Sequence, residues 1–218
     1  WSKCKSLVSV GAKRVIFMTF HGAPLHNMAI QAGIDFLRVN GVKAVNPFNI
    51  ILRRMIDYVP GDYPGVENFI ETDDSKEFVK TKLNHDFHAG LFETSLCLYL
   101  CPHTVDDCYK NLPDCPELFP DKGLMAMAKA SKFTGKKELV REFEFAAVGL
   151  SWVKLRPFPG YSGRPKESSV ELGEFFANNH ILPSYEKVAL STLWGDESSP
   201  EPIMKWVRPL TLSGAIAP

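Results

Sequence analysis

A chain of 218 residues that is 45% hydrophobic and 23% charged can bury one sizeable core and has the composition of a globular domain. Its 25 Lys and Arg cancel its 25 Asp and Glu, so no global field draws it to nucleic acid or to a membrane, and the expected partner is a small molecule. Five cysteines without the density of a disulfide scaffold, no leader pattern and no apolar run of spanning length make a reducing cytoplasm the expected location.

Residues 2–11 read as the end of a helix capped by Gly11, and the apolar run 14–20 (R-V-I-F-M-T-F) reads as a strand covered on both sides. His21-Gly22-Ala23-Pro24 forms a tight turn. Residues 25–40 then place Ile30, Ile34 and Leu37 on one helical face, with Gly41 as a stop. Residues 42–56 return to β-like composition, interrupted by Pro47. This order implies a parallel α/β sheet, in which sites gather at the carboxyl ends of strands, where His21 lies. Residues 57–74 read as a long loop whose Glu67, Glu71, Asp73 and Asp74 are a solvated acidic cluster, and 75–82 as a short helix with Ser75 as its N-cap. Residues 102–122 are expected to be irregular, 124–132 helical or irregular, and 139–153 to form one or two strands. A turn at 160–165 leads into a helix over 166–178. From Ile181 onward an irregular extension, 181–218, is expected to pack on the body, 1–180, or on a neighbouring subunit.

The stretch 84–100, N-H-D-F-H-A-G-L-F-E-T-S-L-C-L-Y-L, concentrates the chemistry. Its helix is apolar nearly all round, so Glu93 is expected to be buried, and a buried carboxylate needs a metal, a cation, several hydrogen bonds or a proton. His85, Asp86 and His88 are its nearest polar neighbours. The strand-end His21 together with His88 and Glu93 makes a metal site of the kind that suits zinc, manganese or iron, although His21 also reads as a capping or core histidine. For His85 and Asp86 a solvated turn or a supporting hydrogen bond is the competing reading. His26 is not expected to be a ligand, and His103 and His180 read as surface residues. No phosphate loop, nucleophile elbow or H-E-x-x-H helix is present.

Three stretches together resemble the creatininase family of metal-dependent creatinine amidohydrolases. V-I-F-M-T-F-H-G-A-P at 15–24 resembles the family's strand ending in N-G-H-G-G-N. D-F-H-A-G-L-F-E-T-S at 86–95 is very close to its H-A-G-x-x-E-T-S signature. G-Y-S-G-R-P-K-E-S-S-V-E-L-G at 160–173 is similar to its G-x-x-G-x-P turn and helix. The resemblance implies a three-layer α/β/α fold with a mostly parallel sheet, commonly a homohexamer, and a dinuclear centre of divalent ions whose water attacks an amide-type carbonyl. Carried over by position, His21 and Glu93 would be metal ligands. His88 would be the catalytic imidazole that protonates the leaving nitrogen, and Asp86 a carboxylate supporting it.

Two departures qualify what the resemblance implies. The family's early E-x-H-x-H-L-P element does not occur, so the remaining ligands are expected from an N-terminal segment preceding Trp1 or from a second chain. Phe20 and Ala23-Pro24 replace the family's small residue and Gly-Asn beside His21, which changes the expected pocket. The leading expectation is hydrolysis of a C–N bond in a small polar compound such as a cyclic amide. The alternatives are a non-catalytic binding or scaffold relative and a hydrolase opening a sugar-like cyclic ketone.

Overall fold

A computed structural model describes residues 1–210; the last eight residues, which belong to the expected C-terminal extension, lie outside the described residues. The fold is mixed α/β, mostly helical, with one small parallel sheet among the described residues. The described chain divides into two compact units, Trp1–Arg54 with 182–210, and Met55–Ile181. None of the described helices is long and apolar enough to cross a membrane.

The first unit is built on a β–α–β element. Helix α1 (Ser2–Ser9) ends two residues before Gly11, whose φ of 76° lets the chain turn into strand β1 (Arg14–Ile16). Helix α2 (Pro24–Val39) starts with proline at its first turn, where the missing N–H costs nothing, and is followed by strand β2 (Lys43–Val45), parallel to β1 with Val15 opposite Ala44. A parallel pair needs a crossover, and α2 provides it. Its buried Ile34 and Leu37 meet Cys4, Val42 and Ala44 to form the core.

Several expectations are corrected here. The strand expected over 14–20 is only three residues long, and it is not covered on both sides: Arg14 and Ile16 are exposed and Met18 is 71% exposed. The β-like stretch 42–56 yields three strand residues, after which helix α3 (Phe48–Asp57) begins just past Pro47. Beyond residue 181, where irregular chain was expected, helix α9 (Leu182–Leu193) packs on β2, and Arg14 donates from Nε to the carbonyl of Leu193 at 2.8 Å. A short turn of helix, α10 (Val207–Leu210), closes the described chain.

The second unit is helical. Helix α4 (Asp73–Thr81) is capped by Thr72, whose hydroxyl accepts from the Ser75 N–H, so the cap lies three residues before the serine expected to fill it. Helices α5 (Leu91–Leu100) and α8 (Val170–Phe176) pack against each other, with Phe92 and Phe176 ring centroids 4.7 Å apart. Helices α6 (Lys122–Ser131) and α7 (Lys137–Val153) form a hairpin, and α7 replaces the strands expected over 139–153. Glu142, Phe143, Ala147 and Val148 are its buried residues; their one-turn spacing is helical despite the aromatic and β-branched composition that suggested strands. His180, expected at the surface, is half-buried with its ring edge-on to Tyr63 at 4.9 Å.

Gly173 marks where α8 approaches α5: a Cβ there would overlap the carbonyl of Ser95. In an open helix alanine is favoured over glycine by about 1 kcal/mol. Here the overlap is with backbone, which cannot swing aside, so the sign should reverse. Gly173→Ala is expected to destabilise the protein by about 1–3 kcal/mol in a denaturant titration.

Candidate functional site

Helix α5 begins without a capping side chain at Gly90, yet its first amides are satisfied. The Asp86 carboxylate reaches across the loop and accepts from the N–H of Leu91 at 2.8 Å and of Phe92 at 2.9 Å. The same carboxylate accepts from the Arg164 N–H at 3.1 Å, binding the 160–165 turn to the start of the helix. Asp86 is only 2% exposed, and its burial pushes the carboxyl up to about 6 although the three amides favour the charged form. Ser162, fully buried beside it, accepts at Oγ from the amides of Phe87 at 2.8 Å and His88 at 2.9 Å, and its own N–H donates to the His88 carbonyl at 2.7 Å.

These bonds explain the glycines of the two motifs. A Cβ on Gly90 would overlap the Ser162 carbonyl and the Asp86 carboxylate, and one on Gly163, which also has φ of 69°, would overlap the same carboxylate. Arg164 ties the turn outward. Its guanidinium bonds Asp74 at 2.6 Å and the Ser75 hydroxyl at 2.7 Å, and stacks over Phe78. Asp74 is therefore a structural partner and not a freely solvated acid, and Glu67 also accepts from the Gly65 N–H.

The clamp presents His88 and Glu93. The His88 side chain is 48% exposed, with Nδ1 4.0 Å from Glu93 Oε2. Its ring lies 5.2 Å from the ring of Trp152, which is held by an indole N–H to Tyr161 carbonyl bond of 2.7 Å. Glu93, expected to be buried, is 27% exposed on the first turn of α5, because the helix buries only Leu91, Phe92, Ser95 and Leu96. Its Oε2 accepts from the Ala89 N–H at 2.6 Å, and Ala89 takes φ of 46°, a left-handed conformation costing an alanine about 1–2 kcal/mol.

His21 belongs to the first unit. Its ring is exposed, edge-on to His26 at 5.2 Å, and its carbonyl accepts from Asn27 Nδ2 at 2.9 Å. Asn27 is fully buried and accepts in turn from Asn46 Nδ2 at 3.1 Å, so a pair of buried amides holds the turn after β1. The structure thus brings Asp86, His88 and Glu93 together in the second unit, with His21 in the first. His85 faces a cavity of about 340 Å³ beside Arg164 and Cys115, where burial and Lys82 lower its pKa. All five cysteines are free.

Sequence reasoning missed Ser162, Trp152, Arg164 and Asn27 as positioning groups. Asn27 had a visible signal: it is in helical register with Ile30, Ile34 and Leu37, a polar residue on a buried face. Among the described residues, no three His, Cys, Asp or Glu side chains form a group that could hold a metal ion.

A family model described as creatinine amidohydrolase, Creatininase, matches residues 2–181. No curated protein and no solved structure matches the chain.

Asp86 generates a pH test. Its folded pKa of about 6 exceeds the unfolded value of about 3.9, so the folded state holds the proton to higher pH. Its contribution to stability is fully present below about pH 4 and is lost as pH rises towards 6, by about 3 kcal/mol in all. Denaturant titrations across this range should show that decline, and Asp86→Asn should abolish it. The variant should also be less stable at low pH, since an amide NH₂ faces backbone N–H groups where a carboxyl oxygen accepted.

Proposed function

The chain belongs to the creatininase family, and from that premise we propose that it hydrolyses a C–N bond in a small polar substrate such as a cyclic amide. The observation that carries the reading is the His88–Glu93 pair held on the Asp86 clamp. An imidazole beside a carboxylate can take a proton from an attacking water and return it to a leaving nitrogen, with the carboxylate steadying the imidazolium between the two steps. Trp152 lies beside the ring at a tilt of 57°, and about half of the His88 side chain remains open to solvent. Asp86 acts through the backbone, tying the loop that carries His88 to the start of α5 and to the turn at 164, while Ser162 bonds the His88 backbone itself.

The family is typically metal-dependent. His21 and Glu93 are the positions that the resemblance marks as ligands, but the described residues do not by themselves fit a dinuclear centre. No step is therefore assigned to a metal, and zinc, manganese or iron enters as a requirement to be measured. We read β1–α2–β2 as part of a three-layer α/β/α arrangement and the five free thiols as supporting a reducing compartment; a homo-oligomer is the expected assembly.

A second reading is binding without turnover. It is favoured by Glu93 Oε2, which is already committed to the Ala89 amide in a short bond. One experiment separates the two. The purified chain, with and without added zinc or manganese, is assayed on a panel of lactams and cyclic imides, with cyclic ketones included for ring opening. Turnover that falls about 10²–10⁴-fold in His88→Ala, with unchanged circular dichroism, supports hydrolysis. Binding with no turnover in any metal condition overturns it. Glu93→Gln is expected to lower any metal content measured by elemental analysis while leaving the fold intact, and unchanged content removes Glu93 as a ligand.

A further inference from the structure

The α6–α7 hairpin carries a charge that the neutral total conceals. Residues 122–137, K-G-L-M-A-M-A-K-A-S-K-F-T-G-K-K, contain five lysines and no acidic residue, and the exposed Glu138 that follows is the one acid at the connection. Four of them, Lys129, Lys132, Lys136 and Lys137, surround the connection between the helices, and none of these four is in an ion pair among the described residues. At the connection stands Phe133, 94% exposed. Residues 132–138 are all exposed, so the tip is convex.

The tip is also locally braced. Helix α6 passes into a 3-10 turn over Lys132–Thr134, and Gly135 at φ of 71° redirects the chain into α7. The Ser131 hydroxyl donates to the Met127 carbonyl at 2.8 Å, the Thr134 hydroxyl donates to the Ser131 carbonyl at 2.7 Å, and the Lys136 N–H returns to the Thr134 hydroxyl. Lys132 and Phe133 follow Lys129 at spacings of three and four, which puts a lysine beside the ring on the same side of the tip. Single exposed apolar residues are ordinary on protein surfaces. A convex apex that places an aromatic ring among unpaired lysines is a narrower arrangement.

We propose that this tip docks on an anionic phospholipid surface, with Phe133 entering the interface and the lysines meeting the headgroups. The shape decides the class of partner. A flat, deformable, negatively charged surface accepts a convex apex and lets several lysines touch at once, whereas a nucleic-acid strand is tracked by a groove. Each lysine near such a surface contributes about fivefold in affinity and a buried ring roughly tenfold, so binding is reversible and sensitive to salt. This inference stands apart from the hydrolase reading, because none of these residues lies in the His88 site.

The test is co-sedimentation of the full chain with vesicles of phosphatidylcholine alone or with about one third phosphatidylserine, at about 0.1 M and about 0.5 M salt. Binding is expected only to the phosphatidylserine vesicles and only at the lower salt. Phe133→Ala should weaken it roughly tenfold, and Lys132→Glu with Lys136→Glu should abolish it, with circular dichroism unchanged. Phe133→Trp should shift its fluorescence to the blue on adding those vesicles. Equal binding to both vesicle types, binding indifferent to these substitutions, or no binding overturns the proposal. So does a tip that instead binds single-stranded RNA, or whose variants break self-association seen by light scattering.

Discussion

The second unit depends on one buried carboxylate. Asp86 accepts from two amides at the start of α5 and from a third in the turn at 164, so two oxygens join its loop and the start of the helix to a turn 78 residues away in sequence. The position suits a negative charge, because the first amides of a helix carry the positive end of its dipole. It is also dry, which is why the proton is held up to about pH 6. A carboxylate so placed acts as the helix cap that Gly90 cannot be, and Gly90 is small because the carboxylate and the Ser162 carbonyl occupy the space of its side chain.

From this clamp follows the setting of His88. Both of its backbone polar groups are bonded to Ser162, so its ring projects from a fixed point beside Trp152. Gly163 is fixed by the same carboxylate, and Arg164 carries the restraint on to α4 through Asp74 and Ser75. The two motifs, about seventy residues apart, are therefore two halves of one joint. Substitution at either half should disturb the other.

The joint was legible in part. The H-A-G-L-F-E-T-S and G-Y-S-G-R-P stretches stand out in the sequence as a polar loop entering an apolar helix and as a turn, and both elements form, although the helix expected from 166 begins only at Val170, after a 3-10 turn over Pro165–Glu167. What joins them was not legible, because a hydrogen bond from Arg164 to Asp86 leaves no local pattern. Composition misled where tertiary packing overrode it. Residues 139–153 hold the aromatic and β-branched residues of a strand, yet their buried positions recur once per turn and the segment is α7. Glu93 was read as buried because its neighbours are apolar, but α5 buries one side only, and the glutamate lies at the margin of that side.

Asp86 and Glu93 are seven residues apart in one motif and do opposite work. Both oxygens of Asp86 are used by backbone amides in a site closed to solvent, so it can hold the chain but cannot meet a substrate. Glu93 uses one oxygen on Ala89, remains partly exposed and lies within 4.0 Å of an open imidazole. Burial thus suits Asp86 to a supporting role, and the pair that solvent can reach is the one the proposed chemistry uses. The left-handed backbone of Ala89 fits this division: the loop accepts a strained residue so that its amide can aim Glu93 while the clamp on either side holds the strain in place.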